Sequence, residues 1–223
     1  MSEITVVGLG PGRPGLVTRE AWDVLCGAGR LLLRTALHPT VDALRERGIS
    51  FASYDSFYEE AGDFSSLYQR IAEDLVDRAG KGERIVYAVP GSPFVAERTV
   101  VLLRKLAEGS GIPLSVLPGM SFVEVLYGRL GVDPIDGVAI LDAGDLDQIA
   151  KCGSLSMVLT QLYDLRVASD AKLLLLEMFP DEHEVLYLHH LSLPEESVRR
   201  IPLFEMDRQK DLDYLTSLFV PKL

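Results

Sequence analysis

Apolar positions in the first 117 residues alternate between two rhythms, short clustered runs and runs spaced at three or four. The short apolar-rich runs at residues 4–7, 31–33, 49–53, 84–89 and 112–117 read as strands, and residues 84–89, nearly continuous in apolar character, suit a central strand covered on both faces. Between them, helical spacing predicts helices over 18–26 with Thr18 as cap, over 39–47, and from about 97 to 107. The longest begins at an Asp63 cap, carries Leu67, Ile71 and Leu75 on one face, and stops at Gly80. Strands alternating with helices argue for a parallel α/β sheet. Past Pro118-Gly119 the rhythm changes. A helix over 121–130 is followed by strand-like runs at 138–141, 156–160, 173–177, 185–189, 198–203 and 215–220, which suit a mixed or antiparallel sheet.

The expected organisation is therefore two α/β domains, residues 1–117 and 118–223. Charge divides at the same place. Of a net −11, residues 1–118 hold 13 basic against 15 acidic side chains, and residues 119–223 hold 9 against 18. No basic cluster is dense enough to follow a phosphate backbone, which argues against nucleic acid. The longest uncharged stretch, 109–123, is interrupted by Gly, Ser and Pro and is too short to span a bilayer. Cys26 and Cys152 have no partner at CxxC spacing and no His at ligand spacing, so neither a disulfide framework nor a metal site is expected. They read as buried thiols in a reducing compartment. With no basic, apolar leader before residue 4, the expected location is cytoplasmic.

Three strand ends are rich in Gly and Pro: Gly8 to Gly12, Pro90 to Pro93, and Pro118 to Ser121. In an open α/β sheet, ligands bind outside the carboxyl ends of the strands, and glycine lets them approach the backbone. The first loop is not a dinucleotide fingerprint: Arg13 stands at the third glycine position, and Arg34 stands where an acidic residue would hold a ribose. An NADP version, with Arg34 reading a 2′-phosphate, survives only through Gly8 and Gly10. No Lys-Ser or Lys-Thr follows any loop, which removes the P-loop reading.

Gly8-Leu9-Gly10-Pro11-Gly12, Tyr87-Ala88-Val89-Pro90-Gly91-Ser92-Pro93 and Leu117-Pro118-Gly119-Met120-Ser121-Phe122 together resemble the three signature loops of the tetrapyrrole (corrin/porphyrin) methylases. Asp133-Pro134, Gln161-Leu162-Tyr163-Asp164 and the 212–221 segment extend the likeness along the whole chain. His38-Pro39, the 87–97 stretch, and Leu215-Thr216-Ser217 resemble more closely the methylase domain of proteins that continue into a MazG-type nucleotide pyrophosphohydrolase. The chain then reads as a free-standing version or as a piece of such a fusion. The resemblance implies a homodimer that holds S-adenosylmethionine (SAM) in a cleft between two α/β domains and methylates a small molecule. It implies cofactor contacts at Pro11, Pro90, Gly91, Ser92, Val95, Ser121, Phe122 and Gln161, with one more within a few residues of His190.

Departures from the family pattern bear on the acceptor. Ser92 stands where some members carry an acidic residue. Arg34 stands where members acting on uroporphyrinogen carry an Asp proposed as a base. A guanidinium cannot be that base, but it can clamp a carboxylate or phosphate, so Arg34 and His38 are the expected substrate contacts. His38, Asp55 and Tyr87 are the candidate proton acceptors, and no catalytic residue is assigned; His38, standing before Pro39, reads equally as the cap of the next helix. Tyr54, Phe57 and Tyr58 are expected either in an aromatic substrate pocket or in the core. The leading expectation is a SAM-dependent methyltransferase; the alternative is a SAM-binding module that regulates a MazG-type hydrolase.

Overall fold

The computed structural model describes residues 2–60 and 63–223, with only the backbone of 59, 60, 64 and 65. The chain separates into two compact units, Met1–Val125 and Leu126–Leu223.

In the first unit the elements run β1 (Glu3–Gly8), α1 (Arg19–Gly27), β2 (Leu31–Leu33), α2 (Pro39–Glu46), β3 (Ala52–Ser53), α3 (Asp55–Glu60), α4 (Phe64–Gly80), β4 (Arg84–Val89), α5 (Arg98–Gly109) and β5 (Leu114–Val116). All five strands are parallel, in the order β3-β2-β4-β1-β5. Each βαβ step needs a helical crossover, which the alternating rhythm supplies. Successive side chains point to opposite faces. Ile4, Val6, Ile85, Tyr87 and Val89 pack with Leu67, Ile71 and Leu75 of α4 and with Leu103 of α5. Val7, Leu31, Leu33 and Ala88 pack on the other face with Leu25 of α1 and Leu44 of α2. With both faces covered, the central strands are mostly apolar, and their polar residues, such as Thr5 and Arg84, are few. Thr18 and Asp63 cap α1 and α4 as expected, accepting from the N–H groups of Ala21 and Ser66. The third strand is shorter than expected, because only Ala52 and Ser53 pair with β2.

A helix α6 (Phe122–Leu130) spans the division between the units. Beyond it come β6 (Val138–Asp142), α7 (Leu146–Ile149), β7 (Ser156–Thr160), α8 (Leu165–Leu176), β8 (Glu184–His189), β9 (Ser197–Pro202) and β10 (Thr216–Val220). The second sheet has the order β6-β7-β10-β8-β9. It is mixed: β6 and β7 are parallel and the other pairs antiparallel. One expectation fails here. Residues 173–177 are not a strand but the end of α8 and the residue after it, capped at its start by Asp164. Ala168, Ala171 and Leu175 turn into the core while Leu173 faces out, which is helical periodicity hidden inside a run of four leucines. Cys26 and Cys152 are unpaired thiols and half-buried, not fully buried as expected. Among the described residues no helix is long and apolar enough to cross a membrane.

Candidate functional site

β4, β1 and β5 are neighbours and parallel, so the three Gly/Pro loops leave the sheet from one end of adjacent strands. The loops touch. Gly10 N–H donates to Gly91 O at 3.2 Å, and Gly91 N–H donates to Gly10 O at 2.8 Å. A Cβ on Gly8 would overlap the Gly91 carbonyl, and one on Gly119 would meet Pro93 Cδ at 3.3 Å and Gly8 Cα at 3.5 Å. Close approach of three backbones is therefore what these glycines permit. Gly91 differs. Its φ of 65° favours glycine, and no heavy atom lies within 4 Å of where its Cβ would sit. The second loop thus presents open backbone, flanked by half-buried Pro90 and Val95 and exposed Phe94.

The remaining expected contacts fall into two groups. Pro11 and Phe122 are half-buried at the first and third loops. Ser92 and Ser121 are buried, and their hydroxyls are engaged locally: Ser92 accepts from Phe94 N–H at 3.3 Å. Ser121 accepts from Val123 N–H at 3.1 Å while its own N–H and hydroxyl donate to Glu124. That reciprocal pattern is a capping box starting α6. In the second unit, Gln161 follows β7 with a left-handed backbone, φ 62°.

His38 is a strut for the first loop. Its Nδ1 accepts from Thr40 N–H at 3.2 Å, capping α2, so Nε2 carries the proton and donates to Gly10 O at 3.1 Å. Thr40 Oγ1 adds a bond to Leu9 O at 2.8 Å. Burial pushes the His38 imidazole down to about 4, against the opposing effect of the Gly10 carbonyl. Both ring nitrogens are used by the backbone, which leaves none for the substrate contact or proton transfer expected of this residue.

Arg34 is likewise engaged. Its Nη1 donates to Glu97 at 2.8 Å and its Nε to Tyr58 Oη at 2.7 Å, with its guanidinium 5.6 Å from the Tyr68 ring centre. Glu97 is 2% exposed and Arg34 23%. Burial alone would lower the Arg34 pKa, but Glu97 and Tyr58 outweigh it and raise it, so the guanidinium stays charged. Its charge is compensated inside the protein, which weakens the expected role as a clamp for an acidic acceptor. Glu97 is the partner that sequence reasoning missed; a lone Glu before a helix gives no sign of it.

The other candidate bases are structural. Asp55 accepts from Ala36 N–H at 2.9 Å and Ser53 Oγ at 2.7 Å, tying the ends of β2 and β3 together. Burial would raise its pKa, but those bonds and one from Thr35 hold it below the usual range. Tyr87 is fully buried, and burial pushes its phenol well up. Tyr54 and half-buried Phe57 and Tyr58 pack with the core under α4, so the aromatic run is core material and not an open pocket.

An α/β protein whose parallel sheet joins three glycine-rich loops at one rim is a recognisable class. Residues 3–207 match the model of the Tetrapyrrole (Corrin/Porphyrin) Methylases, and the chain belongs to that family. It is 37% identical over 221 residues to the uncharacterized protein YabN of Bacillus subtilis, covering 99% of this chain and 45% of YabN. It is also 34% identical over 121 residues to siroheme synthase 2 of Aeromonas hydrophila, covering 54% of this chain and 25% of that one. The chain thus spans less than half the length of these relatives. The fold is that of uroporphyrin-III-C-methyltransferase from Thermus thermophilus, with a TM-score of 0.77, 24% identity, and cover of 100% of this chain and 95% of that one. Another structure of a T. thermophilus uroporphyrin-III C-methyltransferase, complexed with S-adenyl homocysteine, matches with a TM-score of 0.72 at 19% identity, covering 98% and 92%.

Proposed function

We propose that the protein is a SAM-dependent methyltransferase whose acceptor is a small molecule. The observation that carries this reading is the convergence of Gly8, Gly91 and Gly119 at one rim, in a chain that belongs to the tetrapyrrole methylases. SAM, when bound, supplies a methyl group already activated on a sulfonium. A zwitterion attached to a nucleoside suits open backbone flanked by apolar walls, and Gly91 with Pro90, Val95, Pro11 and Phe122 offers both. Ser92 and Ser121 then act by shaping their loops, since their hydroxyls serve local bonds. The assignment of Gln161 rests on the family motif.

Methyl transfer needs the acceptor held in line with the departing sulfur, and orientation accounts for much of the rate. His38, Asp55 and Tyr87 are engaged or buried, which favours an acceptor that needs no side-chain base from the first unit. The internal pairing of Arg34 with Glu97 favours an acceptor with fewer acidic groups than Arg34 alone would suggest. A homodimer and association with a MazG-type domain rest on the sequence resemblance; the length of YabN outside the match leaves room for such a domain.

The test is incubation with methyl-labelled SAM and a small-molecule extract that includes reduced tetrapyrroles. Label transferred to an extract component supports the enzyme. SAM binding with no transfer to any component would favour the regulatory reading instead.

A further inference from the structure

We propose that His189, His190 and Asp213 in the second unit form a binding site for one divalent transition-metal ion, of the zinc or cobalt type. One donor atom from each of the three residues lies within 4.8 Å of the other two. Consecutive strand residues point to opposite faces, so a His-His pair at the end of β8 would normally diverge. It does not, because His190 has a left-handed backbone, φ 54°. That reversal lays the two rings together, 3.8 Å between centres and 16° from parallel. Both Nε2 atoms face one oxygen, Asp213 Oδ2, at 3.3 Å and 2.6 Å. Left-handed backbone at a non-glycine residue carries strain, and strain of this kind gathers at functional sites.

The carboxylate is fixed beforehand. Asp213 Oδ1 accepts from Leu215 N–H at 2.8 Å and from Thr216 Oγ1 at 3.2 Å, which leaves Oδ2 for the imidazoles. The Asp211 carboxylate lies 3.9 Å from His189 Nδ1, beyond hydrogen-bond reach, and is held by Arg199 at 2.7 Å. Donors about 2.1 Å from a tetrahedral ion lie roughly 3.4 Å apart. The 3.3 Å spacing already fits, the 2.6 Å spacing must open when an ion replaces the proton between His190 and Asp213, and the stacked rings must fan apart to aim both lone pairs at one ion. Two imidazoles and one carboxylate suit Zn2+, Co2+ or Ni2+ and not the oxygen-seeking Mg2+ or Ca2+. All three residues are partly exposed, so an ion can enter. Binding would tie the segment leading into β10 to the end of β8.

The tag-free chain, stripped with chelator, is titrated with Zn2+ in competition with a chromophoric chelator, and with Co2+ followed by visible absorption. The expected result is one ion per chain, with the intense visible bands of low-coordinate Co2+. His189→Gln and Asp213→Asn should each weaken Zn2+ at least tenfold, while His183→Gln and Cys152→Ser leave it unchanged. Circular dichroism checks that each variant folds. X-ray absorption of the wild-type zinc complex provides a readout independent of substitution, with two imidazoles expected in the shell. Failure to bind either ion stoichiometrically at neutral pH would overturn the site. So would affinity unchanged in His189→Gln and Asp213→Asn, or a shell without two imidazoles.

Discussion

Gly10 and Gly91 exchange both of their backbone hydrogen bonds, at 3.2 and 2.8 Å, and so close the loops after β1 and β4 into one rim. Two strand ends that could have been separate turns are one structural unit. The polar groups they spend on each other are not offered to a ligand, whereas the open side of Gly91 is.

The rim predicts a sharp contrast between glycines. Gly8→Ala places a methyl against the Gly91 carbonyl, a backbone atom that cannot swing aside, whereas Gly15→Ala meets nothing within 4 Å. Gly8→Ala should lose about 1–3 kcal/mol in urea unfolding, the usual cost of overpacking, with Gly15→Ala close to wild type. Equal stability of the two would show that the loops are not in contact.

The Arg34–Glu97 pair predicts an asymmetry of a different kind. Removing one member of a buried ion pair strands the other, at about 3–5 kcal/mol, while replacing both with apolar residues restores much of the loss. Glu97→Gln should therefore lower the melting temperature clearly, and the double variant Arg34→Met, Glu97→Leu should recover most of it. If Glu97→Gln melts like the wild type, Arg34 is not held by Glu97.

His38 predicts a pH dependence whose sign follows from its depressed folded-state value. The unfolded chain takes up the proton near pH 6.5 and the folded chain only near pH 4. The contribution of His38 is complete above about pH 6.5 and is lost as pH falls from there to about 4. Unfolding measured at pH 7, 5.5 and 4.5 should show His38→Gln with a shallower decline than wild type over that interval. Parallel declines would place the imidazole outside the strut.

The strands of the first unit could be read in the sequence because burial on both faces favours nearly continuous apolar runs, and β4 was recognisable as central by the same logic. The glycine loops were legible for a related reason: close backbone approach leaves a residue type as its signature. The end of α8 was not. A run of four leucines carries no period of its own, so the end of this helix reads as a strand when taken alone. The partners of Arg34 and His38 escaped as well. Glu97 lies 63 residues from Arg34, and Gly10 lies 28 from His38, so no local pattern records either bond. Charge at Arg34 could be seen in the sequence; its neutralisation could not. The convergence of His189 and His190 on Asp213 was not legible either, because strand alternation sends consecutive side chains to opposite faces and Asp213 lies 23 residues from His190.

The most direct test of the central claim is calorimetry of the intact chain with S-adenosylhomocysteine and SAM, alongside Gly91→Trp. The indole would fill the open space beside the second loop. The left-handed backbone there adds about 1–2 kcal/mol of strain, so thermal unfolding of the variant serves as control. The account predicts saturable binding of one ligand per wild-type chain, and none by a folded Gly91→Trp chain. No binding of either ligand by wild type, or the same affinity in Gly91→Trp, would contradict it.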